Sequence, residues 1–363
     1  MRSLEAKLKT SFIVSAVALS LIGLAFVHSA GSYWGAVHYA DSSPFIVKQA
    51  IYMAVSVGIG LIIMKSPLTS SPKTWTAFYV LTILLLVAVL IPGVGAVRNG
   101  SQSWIAFGPF SIQPAEFIKV ALIGKLACNM SNTSGKGVFR FSHFGLILLP
   151  AILIMLQPDL GSAVIMIVSA FVMLFIAGYP IRFFAFLGLG GIGAFIALIA
   201  AAPYRLERIK SYVDPWNDPL GTGFQAIQSL FAIAPGGLVG HGYGNSRQKY
   251  LYLPEPQNDF IFSIISEESG FIGATIVLLL FAVLLASTFG IAIRAKGRHA
   301  FLMVAGMGSM IIFQTFLNVG VVSGLLPVTG VTLPFISYGG SSLMTTWIAA
   351  GTIMHFTVSK KSS

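Results

Sequence analysis

Ten apolar runs dominate this chain, at roughly 11–30, 45–64, 75–92, 113–130, 143–157, 160–178, 183–202, 259–290, 300–323 and 338–357. A helix of about 20 residues rises about 30 Å, the thickness of a bilayer's hydrocarbon core. A membrane barrel would instead need segments of about ten residues with alternating character. Composition agrees with helices in lipid: 56% of the 363 residues are hydrophobic and only 9% are charged, with a mean hydropathy of +0.86. Soluble domains carry about a quarter charged residues. The sequence therefore predicts an all-α integral membrane protein of about ten transmembrane helices, forming one polytopic domain over 1–363. The first run is too long for the apolar core of a secretory signal and no A-x-A site follows it, so it reads as the first of those helices.

Loop charges set the expected orientation. With a cytoplasmic N-terminus, the inside segments hold Arg2, Lys7, Lys9, Lys65, Lys73, Lys136, Arg140, Arg182, Arg294, Lys296, Arg298, Lys360 and Lys361, with Glu5 as the one acidic residue among them. Basic residues on the inside of short loops are the usual topology signal. Both termini are then cytoplasmic, and the large loop at 203–258, between the seventh and eighth runs, faces outside. The formal net charge of +11 is absorbed by this pattern, which removes nucleic acid as a partner and leaves membrane lipids. A single cysteine, Cys128, allows no disulfide framework and no Cys-x-x-Cys site. The six histidines have no ligand spacing. Nucleophile-elbow, Walker A and HExxH patterns are missing, and the glycines at 236–244 precede no phosphate-binding strand and helix. They read as a flexible outside loop, and the glycines near 188–193 as a close helix contact.

The unusual polar residues then stand out against lipid. In PEPQNDF, two prolines impose an extended approach to Asp259 at the start of the eighth run. A carboxylate there is either a helix cap or a general base of raised pKa. Glu267 and Glu268 lie two turns on, with Glu267 on the Asp259 face for a relay or an ion pair. Glu116 and Lys119 are spaced i, i+3 and can pair, either as a buried structural bridge or beside a polar pathway. Arg205, Arg208, Lys210, Arg247 and Lys249, with Arg98 in a separate loop, are either a solvated face or a seat for pyrophosphate. In QPDLGSA, Asp159 suits a cap after Pro158. The stretch 324–342, with its two prolines, its glycines and the hydroxyls of Ser337 and Ser341, predicts non-helical backbone, tolerated at membrane depth only around a cavity or inside protein.

Five blocks in order carry a wider resemblance: NGSQSWIAFGPFSIQPAEFIK (99–119), QPDLG (157–161), PYRLERIKSYVDPWNDPLGTGFQAIQSLFAI (203–233), GNSRQKYLYLPEPQNDFIFSIISEESGFIG (244–273) and NVGVVSGLLPVTGVTLPFISYGGSS (318–342). Together they resemble the shape, elongation, division and sporulation (SEDS) family, and most of all its division and sporulation branch. The resemblance implies a ten-helix glycosyltransferase of the inner (cytoplasmic) membrane that polymerises lipid II into peptidoglycan with its active site outside. It implies a class B penicillin-binding protein as partner. It implies Asp259 as the catalytic residue, and Glu116, Lys119, Arg205, Arg208, Arg247 and Lys249 as substrate-binding residues; the reading of the loops themselves adds Arg98, Ser337 and Ser341 to the substrate-binding set. No cofactor is implied with certainty, and a divalent cation, Mg or Mn, is compatible with a pyrophosphate leaving group. Two positions depart from the family pattern: Asn258 stands where Thr is usual, and Ser269 where Leu is common. A lipid II flippase and a non-catalytic scaffold for the penicillin-binding protein are the rival readings.

Overall fold

The computed structural model describes residues 2–39, 43–98, 101–108, 110–131, 140–200, 212–250 and 252–357. Their helices are α1 (Arg2–Tyr39), α2 (Pro44–Lys65), α3 (Pro72–Leu90), α4 (Pro114–Ser131), α5 (Phe141–Met155), α6 (Leu160–Ile176), α7 (Ile181–Ala200), α8 (Phe224–Ile233), α9 (Ile261–Arg294), α10 (Arg298–Val322) and α11 (Gly340–His355). All but α8 coincide with an apolar run. By length and composition α1, α2, α3, α9 and α10 are each able to cross a membrane, and α5 and α6 are shorter apolar helices. Large apolar side chains such as Leu84, Leu279 and Phe289 remain exposed on their flanks, which suits a lipid-facing surface and would be a liability in water.

The core is built around α4. Almost every residue of this helix is buried, and α3, α5, α6, α10 and α11 all pack against it. The helix pairs α1 with α9 and α2 with α11 complete the bundle. In the second pair the backbones nearly touch: a Cβ on Gly351 would lie 2.3 Å from the Gly60 carbonyl oxygen. The glycines of α7 do not behave this way. Gly188, Gly190 and Gly193 have no neighbouring atoms within reach of a Cβ, so the expected close contact there is not made among the described residues.

Two elements have no counterpart in the apolar runs. Residues 95–112 form a three-stranded antiparallel sheet, β1 (Gly95–Arg98), β2 (Ser101–Phe107) and β3 (Phe110–Ile112). The second is the short helix α8 within the large loop, which packs on α9.

The helix α9 is broken. Gly270 sits inside it at φ 64°, ψ −165°, which interrupts the i to i−4 ladder and frees backbone groups on both sides. Residues 236–242 repair the loss. The N–H groups of His241 and Gly242 donate to the carbonyls of Glu267 (3.0 Å) and Glu268 (2.9 Å), and those of Phe271 and Ile272 donate to Gly237 (2.8 Å) and Leu238 (3.1 Å). The approach is so close that a Cβ on Gly240 would lie 2.3 Å from the Glu268 carbonyl oxygen. The glycine stretch expected to be a flexible loop is therefore an insert bonded into the helix break. Ser269 belongs to this device, since its hydroxyl donates to the Ile265 carbonyl at 2.5 Å just ahead of the break.

Gly270→Ala should lower the stability of the detergent-solubilised protein by at least about 2 kcal/mol, because the new Cβ meets backbone at a left-handed φ. Gly188→Ala should leave the thermal midpoint unchanged or raise it, since α7 offers open space and alanine favours helix.

Candidate active site

Asp259 lies in the turn just ahead of α9. The residue at the helix N-cap is Phe260, and no side chain caps this end. The cap reading of Asp259 is thus set aside: among the described residues its carboxyl bonds only with its own backbone N–H. The residue keeps partial exposure, although its carboxyl group is surrounded by protein atoms. Burial pushes that carboxyl up to about 7, with the nearby Glu255 charge adding to the rise and the backbone hydrogen bond opposing it. A carboxylate of this kind is poised to accept a proton near neutrality.

What holds Asp259 in place comes from α10. Asn318 donates from one amide nitrogen to the backbone carbonyls of Asp259 (2.6 Å) and Val331 (2.7 Å). The segment 324–339 is irregular, as expected, and closes over the turn: Tyr338 N–H donates to the Gln257 carbonyl at 2.9 Å, and a Cβ on Gly330 would lie 3.9 Å from Asp259 Oδ2. Within this same neighbourhood Gln257 Oε1, Asn258 Oδ1, Asn318 Oδ1 and Thr329 Oγ1 are buried without a protein partner. Buried polar atoms are nearly always hydrogen-bonded, so a group of four beside a free carboxylate marks a place that a polar ligand or water serves. The sequence reading missed Asn318, because a single amide in an apolar run carries no spacing signal, and it marked the 324–342 stretch without singling out Thr329 among its hydroxyls. Asn258, the departure from Thr, donates to Glu255 Oε2 at 2.7 Å and so supports the turn.

Glu116 and Lys119 form the buried pair that their spacing predicts, at 2.7 Å. The pair is not isolated. Lys119 also donates to Gln314 Oε1 (3.0 Å), and Thr345 donates to Glu116 Oε2 (3.1 Å). Gln314 in turn donates to the Thr332 carbonyl at 3.1 Å and to the Ser342 hydroxyl at 3.3 Å. The network ties α4, α10 and α11 to the irregular segment over Asp259. Asp159 caps α6 as expected, accepting from Ser162 N–H at 3.0 Å, and also accepts from the Gln113 amide at 2.8 Å.

Several expected ligand residues have other work. Lys249 is buried, 3.7 Å from Glu268, and also donates to the Gly244 carbonyl. Glu268 accepts from Gly244 N–H (3.0 Å), Ser246 N–H (3.1 Å) and the Ser29 hydroxyl (2.5 Å). Glu267 accepts from the Ser246 hydroxyl (2.5 Å) and Arg247 N–H (2.8 Å). The two glutamates thus hold the 244–249 loop, and Glu267 does not relay to Asp259. Ser337 and Ser341 are buried, and their hydroxyls accept from Leu333 N–H (2.7 Å) and Gln113 N–H (2.9 Å), so both shape backbone. Arg247 is exposed. Arg98 sits at the end of β1 opposite Ser101, with its side chain outside the described part. Arg205, Arg208 and Lys210 lie outside the described residues.

A bundle of apolar helices with a broken helix, an irregular covering segment and an uncommitted carboxylate defines a polytopic membrane protein with a polar site at one end. The cell cycle protein family FtsW/RodA/SpoVE matches residues 9–362, and the chain belongs to this family. It is 47% identical over 352 residues to stage V sporulation protein E of Bacillus subtilis, covering 94% of this chain and 95% of that one. It is 38% identical over 347 residues to the probable peptidoglycan glycosyltransferase FtsW of Saccharophagus degradans, covering 94% and 90%. Among solved structures, a chain described under "Structural coordination of polymerization and crosslinking by a peptidoglycan synthase complex" superposes with a TM-score of 0.79 at 30% identity, covering 97% of this chain and 98% of that one. The rod shape determining protein RodA of Thermus thermophilus superposes with a TM-score of 0.68 at 27% identity, covering 97% of both.

Lys249→Met should destabilise the protein by about 3–5 kcal/mol by stranding the Glu268 charge. A cycle of Lys249→Met and Glu268→Gln, read by thermal unfolding, should show coupling of about 1–3 kcal/mol. Purely additive effects would place Lys249 outside the loop's support.

Proposed function

We propose that this chain is a peptidoglycan glycosyltransferase that polymerises lipid II for cell division or sporulation, at the outer face of the cytoplasmic membrane and beside a class B penicillin-binding protein. The observation that carries the reading is the uncommitted Asp259 carboxyl, raised to about 7 and set among unpartnered polar atoms. Support also comes from relatives named as probable peptidoglycan glycosyltransferases and from the likeness to a chain of a peptidoglycan synthase complex. The ten spans, read from the apolar runs, and the cytoplasmic termini and outward site, read from the loop charges, are part of the same proposal.

In this reaction Asp259 takes the proton of the acceptor GlcNAc 4-hydroxyl as that oxygen attacks C1 of the donor MurNAc. The bond from C1 to the pyrophosphate oxygen breaks, its electron pair leaves with undecaprenyl pyrophosphate, and the configuration at C1 inverts. A base with a pKa near the working pH serves such a transfer best. The leaving pyrophosphate needs positive charge, for which Arg247, Arg98, Arg205 and Arg208 are the proposed residues. Lys249 is left out of that set because Glu268 already engages it. A divalent cation, Mg or Mn, is a further proposal. No group of three His, Cys, Asp or Glu ligands occurs among the described residues, so a cation would be held by Glu255 together with pyrophosphate oxygens and water, where it would offset leaving-group charge and leave Asp259 free as the base.

Purified full-length protein with its transpeptidase partner, given lipid II, should yield glycan polymer resolved on a gel. Asp259→Asn, which keeps the side-chain volume, should lower the polymer at least about 100-fold while the thermal midpoint holds. Undiminished polymer would remove Asp259 as the base. Translocation of lipid II without polymer would favour a flippase, and neither activity a scaffold. The rate should rise with pH and level off above about 7, because below that value Asp259 carries the proton it must accept. A flat profile from pH 5 to 8 would contradict the assignment.

A further inference from the structure

At the bundle end away from Asp259, a cavity of about 710 Å³ opens between the start of α1 and the ends of α2, α9 and α11. Ile291, which lines it, lies twenty-one residues beyond the Gly270 break, or about 31 Å by helix rise along the second half of α9. The catalytic reading therefore makes no use of it. Four cations line the cavity, Lys9, Lys65, Arg294 and Lys296, against one acidic residue, Glu5. They come from three separate parts of the chain, the start of α1, the end of α2, and the end of α9 with the turn after it, so the convergence is made by the fold. Among the described residues, no carboxylate lies within ion-pair distance of Lys9, Lys65 or Arg294. The histidine in the wall, His355, is already held between the Ser70 hydroxyl (2.8 Å) and the Met64 carbonyl (3.1 Å).

Apart from Ser70 and Thr357, the rest of the cavity is apolar, with Leu8, Ile291 and Phe356 in its walls. Next to it on the outer flanks, Ile62 is 68% exposed, Phe289 62% and Ile293 71%, a surface that only lipid covers well. A ligand that suits both parts has a phosphate head for the cations and acyl chains for those flanks. We propose that this cavity binds the phosphate headgroup of an anionic membrane phospholipid. Basic pockets between membrane helices take headgroups of this kind, and each Lys or Arg near the membrane surface adds to the attraction. A soluble phosphate shares the headgroup chemistry but would leave the apolar flanks unused. The site is defined by its position at this end of the bundle, whichever compartment that end faces.

The test uses the full chain in nanodiscs of phosphatidylglycerol and phosphatidylcholine, with retained lipid counted by native mass spectrometry. The wild type should retain phosphatidylglycerol in preference to phosphatidylcholine. The pair Lys65→Gln with Arg294→Gln, both at exposed positions, should lower that retention about ten-fold. The pair Lys73→Gln with Arg182→Gln, outside the cavity, should leave it intact. Equal losses in the two pairs would mean general surface charge and overturn the site, as would wild-type retention without preference for phosphatidylglycerol. A third arm titrates inorganic phosphate onto the delipidated protein in detergent. Binding there with the same dependence on Lys65 and Arg294 would assign the cavity to soluble phosphate and overturn the lipid reading. Polymer formation from lipid II is recorded in parallel, so failure of the catalytic assignment at Asp259 is seen separately.

Discussion

Lipid offers no hydrogen bonds to a backbone, so any break in a membrane helix must be repaired by protein. The break of α9 at Gly270 is the point on which much of this structure depends. Residues 236–242 supply the missing donors and acceptors, and two glutamates of the first half of α9 fasten the next part of the loop through Ser246 and Arg247. The large loop is thereby anchored to the helix that begins beside Asp259. A continuous helix would have left those glutamates buried with no loop to hold, and buried carboxylates without partners are strongly unfavourable.

Around α4 a second requirement operates. A lysine and a glutamate in the packed interior are tolerable because Gln314, Thr345, Ser342 and Thr332 complete their hydrogen bonding. Buried networks of this type stabilise only when every member is satisfied, and they favour one arrangement of the helices over near alternatives. Here the arrangement includes the irregular segment 324–339, since Thr332 lies within it and Ser342 just beyond it. Catalytic geometry and core packing are therefore set by overlapping residues.

The apolar runs made the helices legible in sequence, because periods of lipid-compatible residues survive any detail of packing. Proline and glycine between 324 and 342 foretold irregular backbone for the same reason: local chemistry decides it. The sheet at 95–112 was not legible, since its strands are short and sit where an outside loop was the simpler reading. Nor was the fate of the charges. Lys249 reads in sequence as one of several cations able to meet a phosphate, and only the fold brings Glu268 within reach of it. Glu267 shares a helical face with Asp259 by count, but the count assumes that the helix already includes Asp259, which instead lies in the turn ahead of α9, while Glu267 is taken up by Ser246 and Arg247. Asn318 is the clearest loss: one amide in an apolar helix gives no pattern, and its importance arises from two carbonyls distant in sequence.

That amide has a further consequence. Because a single Asn318 nitrogen grips both the Asp259 carbonyl and the Val331 carbonyl, the turn that carries Asp259 and the segment that roofs it are not independent parts. A displacement of that roof is transmitted to the Asp259 backbone through one shared amide.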